Sequence, residues 1–394
     1  MKSKRVVTAL VVCGVALSMW GVGVQPGARK SVQPETAPAS SVRFGLQEPK
    51  ARTPGTLRLA TYNVENLFDD KDDPALSGKH EDAGQTKPAE HAKAAAEAIK
   101  RIDADVVALE EVESYDAVIA FRDMYLKDAG YRYVVSIDAG DERGIEQAVL
   151  SRFPLRDAKV WVRLPLGGVH PEKWGNQVNE NAGKPITFHR SPLCVTVEVP
   201  PAGGEPKEAE RGKGAESGKP YELTVFVVHQ KSGGPGTYWR EKEAAKTVEL
   251  AAELMKSDPD RNIVIVGDFN ATMGQPPMRT FIGSGFTDAF YPRDPSEDKT
   301  VQDEGVKEEG KEPEGAGRGK RRGPDVRRIT HESGRIIDHI LFNAAALREF
   351  KVESRFVLGM PARAAGSDWR VTPPPAGYAS DHYPVVVDIE PRDR

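Results

Sequence analysis

The chain contains a series of short apolar segments that have the length of β-strands. The clearest is Asn-Ile-Val-Ile-Val-Gly at 262–267, which is typical of a strand buried on both faces. Similar runs lie at 57–62, 105–109, 131–137, 147–151, 194–199, 223–228, 336–342 and 384–389. Helices are indicated at 89–101 and 238–255, where helix-forming residues continue without a break. Because strands outnumber helices, we expect two mixed or antiparallel sheets packed together, with the helices outside.

The N-terminal region has the composition of an export signal. Lys2, Lys4 and Arg5 precede an apolar run at 6–24, so residues 1–24 are predicted to be a signal peptide or an uncleaved anchor. The protein is therefore expected to be periplasmic, extracellular or membrane-anchored. Residues 25–55 are rich in Pro, Ala, Ser and Gly and are predicted to be a disordered linker.

Residues 56–391 are predicted to form one folded domain with two flexible insertions. The segments at 200–220 and 294–328 are rich in charged residues and Gly and lack apolar periodicity. The second segment begins acidic and ends basic, which leaves open a substrate-attracting arm or a solvated loop. The net charge is -4, so no global positive field attracts a polyanion. A nucleic-acid substrate would need a local basic patch or metal ions.

Carboxylate, amide and imidazole side chains occur next to the apolar runs. They are Asn63, Glu65, Glu110, Glu111, His229, Asp268, Asn270, Asp338, His339, Asp381 and His382. Each of them alone is explained equally well by a turn or a solvated strand end. A whole set beside strands is better explained by an active site at one rim of a sheet. Oxygen ligands of this kind suit Mg²⁺, with Mn²⁺ and Ca²⁺ as alternatives, and a bound cation favours attack on a phosphodiester.

Seven motifs are distributed over the predicted domain. They are Thr-Tyr-Asn-Val-Glu-Asn at 61–66, Ala-Leu-Glu-Glu-Val at 108–112, Ala-Val-Leu-Ser-Arg-Phe-Pro at 148–154, Val-His-Gln-Lys-Ser at 228–232, Gly-Asp-Phe-Asn-Ala at 267–271, Ile-Asp-His-Ile at 337–340 and Ser-Asp-His-Tyr-Pro at 380–384. In order and spacing the set resembles the endonuclease/exonuclease/phosphatase superfamily, and most of all its exported bacterial members. The resemblance implies an α/β (α+β) fold, a four-layer α-β-β-α sandwich with two mixed, mainly antiparallel sheets. It also implies a metal-dependent phosphoesterase.

The resemblance implies a metal site around one glutamate. Glu111 is similar to the family's metal-binding glutamate, with Asn63 and Glu65 in support and Asp381 as a further ligand. The chain departs from the family at Glu110, where the family usually has Gln. This departure adds a carboxylate beside the expected metal site.

The resemblance also implies the catalytic roles. Asp268 is similar to the aspartate that orients or deprotonates the attacking water, and Asn270 to the asparagine that contacts the phosphate. His382 resembles the histidine that acts on the scissile phosphate, oriented by Asp338. His229 resembles a second histidine near the leaving group.

The substrate remains open at this stage. Arg190, in Phe-His-Arg-Ser-Pro, resembles a phosphate-contacting arginine. Our first choice is extracellular DNA or RNA, bound by a monomer. The alternative is a phospholipid, sphingomyelin or inositol phosphate, which calls for exposed aromatic residues; the candidates are Trp161, Trp174, Trp239 and Trp369. A second alternative is a non-catalytic binding protein on the same fold.

Overall fold

The computed structural model describes residues 42–71, 85–201, 219–291 and 325–393. The predicted signal peptide and most of both predicted insertions lie outside these ranges. None of the helices in the described ranges combines the length and apolarity needed to cross a membrane.

Strands predominate over helices in the described chain, as the sequence predicts. The strands are β1 Leu57–Leu67, β2 Val106–Val112, β3 Tyr133–Ser136, β4 Glu146–Ser151, β5 Leu155–Lys159, β6 Pro165–Val169, β7 Lys173–Trp174, β8 Gln177–Val178, β9 Pro185–Thr187, β10 Leu193–Val199, β11 Tyr221–His229, β12 Asn262–Asp268, β13 Thr287–Asp288, β14 Asp338–Phe342, β15 Phe356–Val357 and β16 Val385–Ile389. The helices are α1 Ala89–Ile102, α2 Tyr115–Tyr125, α3 Thr237–Ser257, α4 Pro276–Gly283 and α5 Ala344–Leu347.

Two six-stranded sheets form the centre of the molecule. Their strand orders are β15-β16-β1-β2-β4-β3 and β13-β14-β12-β11-β10-β5. In each sheet one central pair is parallel, β1 with β2 and β11 with β12, and the other neighbours are antiparallel. The predicted mixed, mainly antiparallel sheets are therefore confirmed. The parallel pairs bring the carboxyl ends of four central strands to one rim.

The burial pattern of β12 shows how the layers are packed. Val264 and Val266 belong to the core between the sheets, whereas Ile263 and Ile265 pack on the outer side with Ala251 of α3. Successive side chains of a strand point to opposite faces, so a strand that is apolar throughout must be covered on both. Helices α3 and α4 provide that cover for the second sheet, and α1 packs on the first. The four-layer α-β-β-α sandwich is thus confirmed.

Several shorter elements were not predicted from the sequence. Helix α2 is capped by Ser114, whose Oγ accepts a hydrogen bond from the Ala117 backbone N–H at 3.2 Å. Strands β6 to β9 form two small two-stranded sheets outside the main ones. Their sequences are short and contain Gly and Pro, so they give little apolar periodicity, which is why they were missed.

The predicted linker is wrong for its last part, residues 42–55. Phe44 is 9% exposed, and its ring centroid lies 6.1 Å from that of Tyr383. Leu46 forms a β-bridge with Leu358. These isolated apolar residues in a Pro- and Ser-rich segment give no periodic signal, so their burial depends on the surface that the rest of the chain provides.

The second predicted insertion also extends too far. Residues 325–328 belong to the described chain, and Val326–Arg328 form a 3-10 turn. The Asp325 side chain caps this turn by accepting a hydrogen bond from the Arg327 backbone N–H at 3.1 Å. A local cap of this kind stabilises the turn.

Candidate active site

An open cleft of about 660 Å³ lies at the rim where the central strands end. Most of the predicted site residues line it, namely Glu65, Glu111, Arg190, His229, Asp268, Asn270, Asp381 and His382. Asn63 and Asp338 are buried behind the lining, and each is bonded to a residue that faces the cleft. The structure therefore brings all ten residues together.

His382 is held from behind by Asp338. Its Nδ1 lies 2.9 Å from both carboxylate oxygens of Asp338, so Nδ1–H is the donor and Nε2 is the ring nitrogen that remains for the cleft. Burial by itself would lower the pKa of His382. The negative charges of Asp338, Asp268 and Asp381 outweigh burial and raise the pKa well above its usual value. His382 is therefore an imidazolium near neutral pH.

Asp268 lies at the end of β12, opposite His229 in the sheet register. Its Oδ2 is 3.8 Å from Nε2 of His382 and 3.6 Å from Nε2 of His229. Burial raises the pKa of Asp268 to about 6, with the charge of His382 opposing this shift and that of Asp338 adding to it. The Asp268 carboxylate is thus a base that lies between the two histidine rings.

Asn270 supports Asp268 in this structure. Its backbone N–H donates to Asp268 Oδ1 at 2.8 Å, and its side-chain Nδ2 donates to Asp268 Oδ2 at 3.0 Å and to the Gln230 carbonyl at 3.1 Å. Both side-chain protons are therefore engaged within the protein. The predicted phosphate contact of Asn270 stays a prediction.

Arg190 is 3% exposed and is bonded to protein groups. It donates to Asp141 Oδ2 at 2.7 Å, to the carbonyl oxygen of His229 at 3.0 Å and to His229 Nε2 at 3.1 Å. Burial and the nearby Arg190 charge lower the pKa of His229 well below its usual value. His229 is therefore neutral, and its Nε2 accepts rather than donates. The predicted phosphate contact of Arg190 has not been tested; the observed contacts orient His229.

The residues of the predicted metal site fit a hard cation by their chemistry. Asn63 Nδ2 donates to Glu111 Oε1 at 3.1 Å, and Asn63 Oδ1 accepts the Glu65 backbone N–H at 3.0 Å. Burial and the charge of Asp381 raise the pKa of Glu65 to about 7. Carboxylates crowded in this way repel one another, and a divalent cation would relieve the repulsion.

The tightest groupings of ligand atoms, however, centre on His382. Within the described ranges, two sets of three side chains place their ligand atoms within 4.8 Å of one another. The sets are Asp268, Asp338 and His382, and His331, Asp381 and His382. Glu65 and Glu111 belong to neither set, so the predicted ligands are more loosely arranged than the groups around His382.

Unusual backbone conformations are concentrated at the cleft. Glu65, Asn66, Glu111 and Asn270 have positive φ angles of 51°, 54°, 61° and 48°. They make up four of the seven such non-glycine residues in the described ranges. The register of β1 with β2 shifts after Asn63, and that of β2 with β4 shifts after residue 110. These bulges turn the strand ends so that the side chains of Glu65 and Glu111 face the cleft.

Four basic residues of the cleft were not singled out from the sequence. They are Arg43, Arg143, His331 and Arg363. None stands at the end of a long apolar strand, so the pattern that identified the other residues did not apply. His331 comes seven residues before Asp338, in a loop that the sequence pattern left between two elements.

The aromatic residues proposed for a lipid-binding rim do not gather at the cleft. Trp369 lines it and is 66% exposed. Trp239 is buried, and Trp161 and Trp174 are half-buried in an aromatic cluster under β6 and β9. Three of the four candidates are therefore part of the packing.

The fold and the site together define a hydrolase that acts on phosphate esters. The model of the Endonuclease/Exonuclease/phosphatase family matches residues 60–382. The chain belongs to this family and is a phosphoesterase. The alternative of a non-catalytic binding protein on the same fold is therefore set aside. Members of the family are generally metal-dependent.

Solved structures of the same fold are similar over most of the chain. The human nocturnin catalytic domain with bound sulfate is 13% identical, covers 86% of this chain and 95% of its own, and has a TM-score of 0.46. An endonuclease/exonuclease/phosphatase from Bacteroides vulgatus is 15% identical, covers 85% of this chain and 98% of its own, and has a TM-score of 0.45. A mannosyl-6-phosphatase from Bacteroides thetaiotaomicron is 15% identical, covers 84% of this chain and 98% of its own, and has a TM-score of 0.44. A comparison with curated protein sequences found no match.

Proposed function

We propose that this protein is an exported nuclease that hydrolyses phosphodiester bonds of DNA or RNA with the help of Mg²⁺ or Mn²⁺. The observation that carries the proposal is the polarity of the cleft. Of the residues that line it in the described chain, Ala364 and Trp369 alone have apolar side chains. A polar cleft suits the phosphate and sugar groups of a nucleic acid better than acyl chains.

Arginines at the rim support binding of a polyanion. Arg43 NH1 donates to the carbonyl oxygen of Arg363 at 2.6 Å, and Arg143 NH2 donates to Asn66 Oδ1 at 2.8 Å. Both arginines line the cleft. Guanidinium groups there are suited to contact phosphate oxygens, which the net charge of -4 does not attract over long range.

A phospholipid or sphingomyelin substrate is less well supported. Docking on a lipid surface needs a contiguous apolar patch, and a single exposed indole does not provide one. Trp369 also has the Arg370 guanidinium 4.9 Å from its ring centroid. An indole with an arginine beside it is suited to stacking on a nucleobase near a phosphate.

The residues divide the proposed reaction between them. Glu111, Asn63, Glu65 and Asp381 would hold the cation, which when bound offsets phosphate charge and polarises a phosphate oxygen. Asp268 orients the attacking water and accepts its proton, since its carboxylate is buried and basic.

The two histidines differ in their protonation, and this decides which of them can donate a proton. The imidazolium of His382, fixed by Asp338, donates from Nε2 to a phosphate oxygen and stabilises the charge that develops there. Neutral His229 lies on the other side of Asp268 and accepts from Arg190. A proton for the leaving oxygen therefore has to come from His382 or from water unless Arg190 moves.

A substrate screen tests the proposal. The purified protein is incubated with plasmid DNA, RNA, sphingomyelin vesicles, inositol phosphates and a phosphomonoester, with Mg²⁺, Mn²⁺ or excess chelator. We expect cleavage of DNA or RNA and none by the Asp268→Asn variant. Exclusive cleavage of the vesicles or of the monoester would refute the nuclease assignment and leave the phosphoesterase assignment intact.

Export is proposed from the sequence. Basic residues ahead of the apolar run at 6–24 form a secretory pattern. The test is fractionation of bacterial cells that express the full chain or a chain without residues 1–24. Equal cytoplasmic retention of both would contradict the proposal.

A further inference from the structure

The loop before β14 places a third histidine in the cleft. The backbone of His331 forms an antiparallel bridge with that of His382. The backbone N–H of Tyr383 donates to the carbonyl oxygen of Thr330 at 2.8 Å. The loop is thus tied directly to the segment that carries the proposed phosphate-binding histidine.

The hydrogen bonds of His331 define which ring nitrogen carries its proton. The backbone N–H of Ser333 donates to His331 Nδ1 at 2.9 Å, so Nδ1 is an acceptor. The proton of the neutral ring is then on Nε2, which lies 3.2 Å from Asp381 Oδ2. His331 therefore presents an N–H group to the Asp381 carboxylate in a close polar contact. A nitrogen that holds a proton has no lone pair for a metal, so His331 supports a ligand rather than acting as one.

The contact with His331 holds the Asp381 carboxylate away from Nε2 of His382. Nε2 of His382 is 3.9 Å from Asp381 Oδ1, beyond hydrogen-bonding distance. Without its His331 partner, the Asp381 carboxylate would be free to rotate toward Nε2 of His382 and close the remaining distance. The carboxylate would then cover the nitrogen that must meet the phosphate. The His331 ring also stands edge-on to the His382 ring, with centroids 4.5 Å apart, and limits its rotation.

We propose that His331 is a positioning residue that holds Asp381 away from His382. In this arrangement the Asp381 carboxylate remains available to a divalent cation and His382 Nε2 remains open to a phosphate oxygen. The inference rests on the proposed function for what these two residues bind. The contacts that define it belong to the loop and are independent of the substrate.

Three substitutions separate the donor role from a merely structural one. His331→Gln places an amide N–H donor near the position of Nε2 and should keep the polar contact with Asp381. His331→Leu removes the donor and keeps most of the volume. His331→Asn places its amide near the position of Nδ1, too far from Asp381, and serves if the Leu variant does not fold. A thermal melt of each variant establishes that it is folded.

The first readout is Mn²⁺ binding, followed by the electron paramagnetic resonance signal of the free ion. We expect the Leu and Asn variants to lose about tenfold or more in Mn²⁺ affinity, the usual scale for losing a residue that orients a ligand. The Gln variant should stay close to the unmodified protein. Equal affinity in all folded variants, or equal loss in Gln and Leu, would overturn the inference.

The second readout is turnover of bis(p-nitrophenyl) phosphate at saturating Mn²⁺. We expect kcat to fall in the Leu and Asn variants, because Asp381 then pairs with His382, and to recover in the Gln variant. An unchanged kcat in a folded Leu variant contradicts this. If the unmodified protein binds Mn²⁺ but cleaves no phosphodiester, the proposed function fails, whereas the Mn²⁺ comparison still decides the role of His331.

Discussion

His382 has one ring nitrogen bonded to a buried carboxylate and the other directed at the cleft. The carboxylate therefore holds the positive charge of the ring in place to face a bound phosphate. We predict that His382→Ala lowers kcat on the best substrate by at least roughly a hundredfold, the usual loss for a catalytic acid or charge stabiliser. The melting temperature should fall, because Asp338 is left buried without its counter-charge, so rates are compared at a temperature at which the melt shows the variant to be folded. Initial rates and a melt of the same preparation measure both.

Asp338 provides the matched test of this pair. Asp338→Asn should lower kcat in the same direction, and the double variant should lose far less than the product of the two single losses. Such non-additivity is expected of groups that act as a unit. His170→Ala, which removes a histidine outside the cleft bonded to Tyr238, is the control and should keep kcat. Full activity of folded His382→Ala would remove this residue from the mechanism.

At the scale of elements, β1 and β16 are joined by a buried ion pair. Arg58 Nε and NH2 lie 2.7 and 3.1 Å from the two carboxylate oxygens of Asp388. Burial would raise the pKa of Asp388, but the bonds and charge of Arg58 lower it below its usual value. The pair therefore contributes stability above the unfolded carboxyl pKa of about 4, and this is lost as pH falls through the lower folded value.

We predict that Asp388→Asn lowers the free energy of unfolding at pH 7 by about 3–5 kcal/mol, because Arg58 is left buried without its counter-charge. The difference should shrink as pH falls below about 4, and at a pH below the lower folded pKa of Asp388 the two proteins should converge, since the native carboxyl is then protonated as well. Urea unfolding at both pH values measures the difference. A difference that does not depend on pH would show that the pair is not its source.

Strand β12 has a glycine where the chain passes closest to β11. Gly267 has a φ of 132°, and a Cβ there would lie 2.0 Å from the carbonyl oxygen of Val228. We predict that Gly267→Ala destabilises the protein by about 3 kcal/mol or more, because backbone strain and overpacking add. It should also lower activity, since the two strands carry His229 and Asp268 at their ends.

Gly285→Ala is the control for this prediction. Gly285 also has a positive φ, of 90°, but nothing lies within 4 Å of the position of its Cβ. It should show the conformational cost alone, about 1–2 kcal/mol. Chemical unfolding and initial rates measure both variants. Equal effects in the two would show that the contact between the strands is not limiting.

At the scale of the whole molecule, the segment at 42–55 is part of the folded protein. We predict that a chain that starts at residue 56 is less stable than one that starts at residue 42, since burial of Phe44 alone contributes about 1.5–3 kcal/mol. Phe44→Ala in the full chain should reproduce much of the loss. Melting temperatures of the three proteins test this, and equal values would show that the segment is dispensable.

Metal binding should also be visible in the whole molecule. Excess chelator should abolish activity, and Mg²⁺ or Mn²⁺ should restore it, because the carboxylates at the cleft repel one another without a cation. Mn²⁺ at about a hundred times its Kd should raise the free energy of unfolding by about 2.7 kcal/mol. Glu111→Gln should reduce this gain. Full activity in excess chelator, in a sample from which bound metal has first been removed, would contradict metal dependence.

The sequence by itself determined nine of the twelve strands in the two sheets, all except β5, β13 and β15, and the order of the site residues. An apolar run such as 262–267 forms a strand through its own composition, and the polar residue that follows it marks the strand end. Helices α1 and α3 were predicted for the same local reason. The family and the sandwich fold followed from the motifs because they lie at these strand ends.

The tertiary structure alone decided how the groups meet. The bulges that turn Glu65 and Glu111 into the cleft, the bond from Arg190 to His229 and the burial of Phe44 join residues far apart in the chain. His331 reached the site in the same way, through a loop that pairs with the strand-end segment of His382. Such contacts depend on the register and bulges of strands from different parts of the chain. Local composition does not encode them, because each partner is suited equally well to a solvated surface until the other is in place.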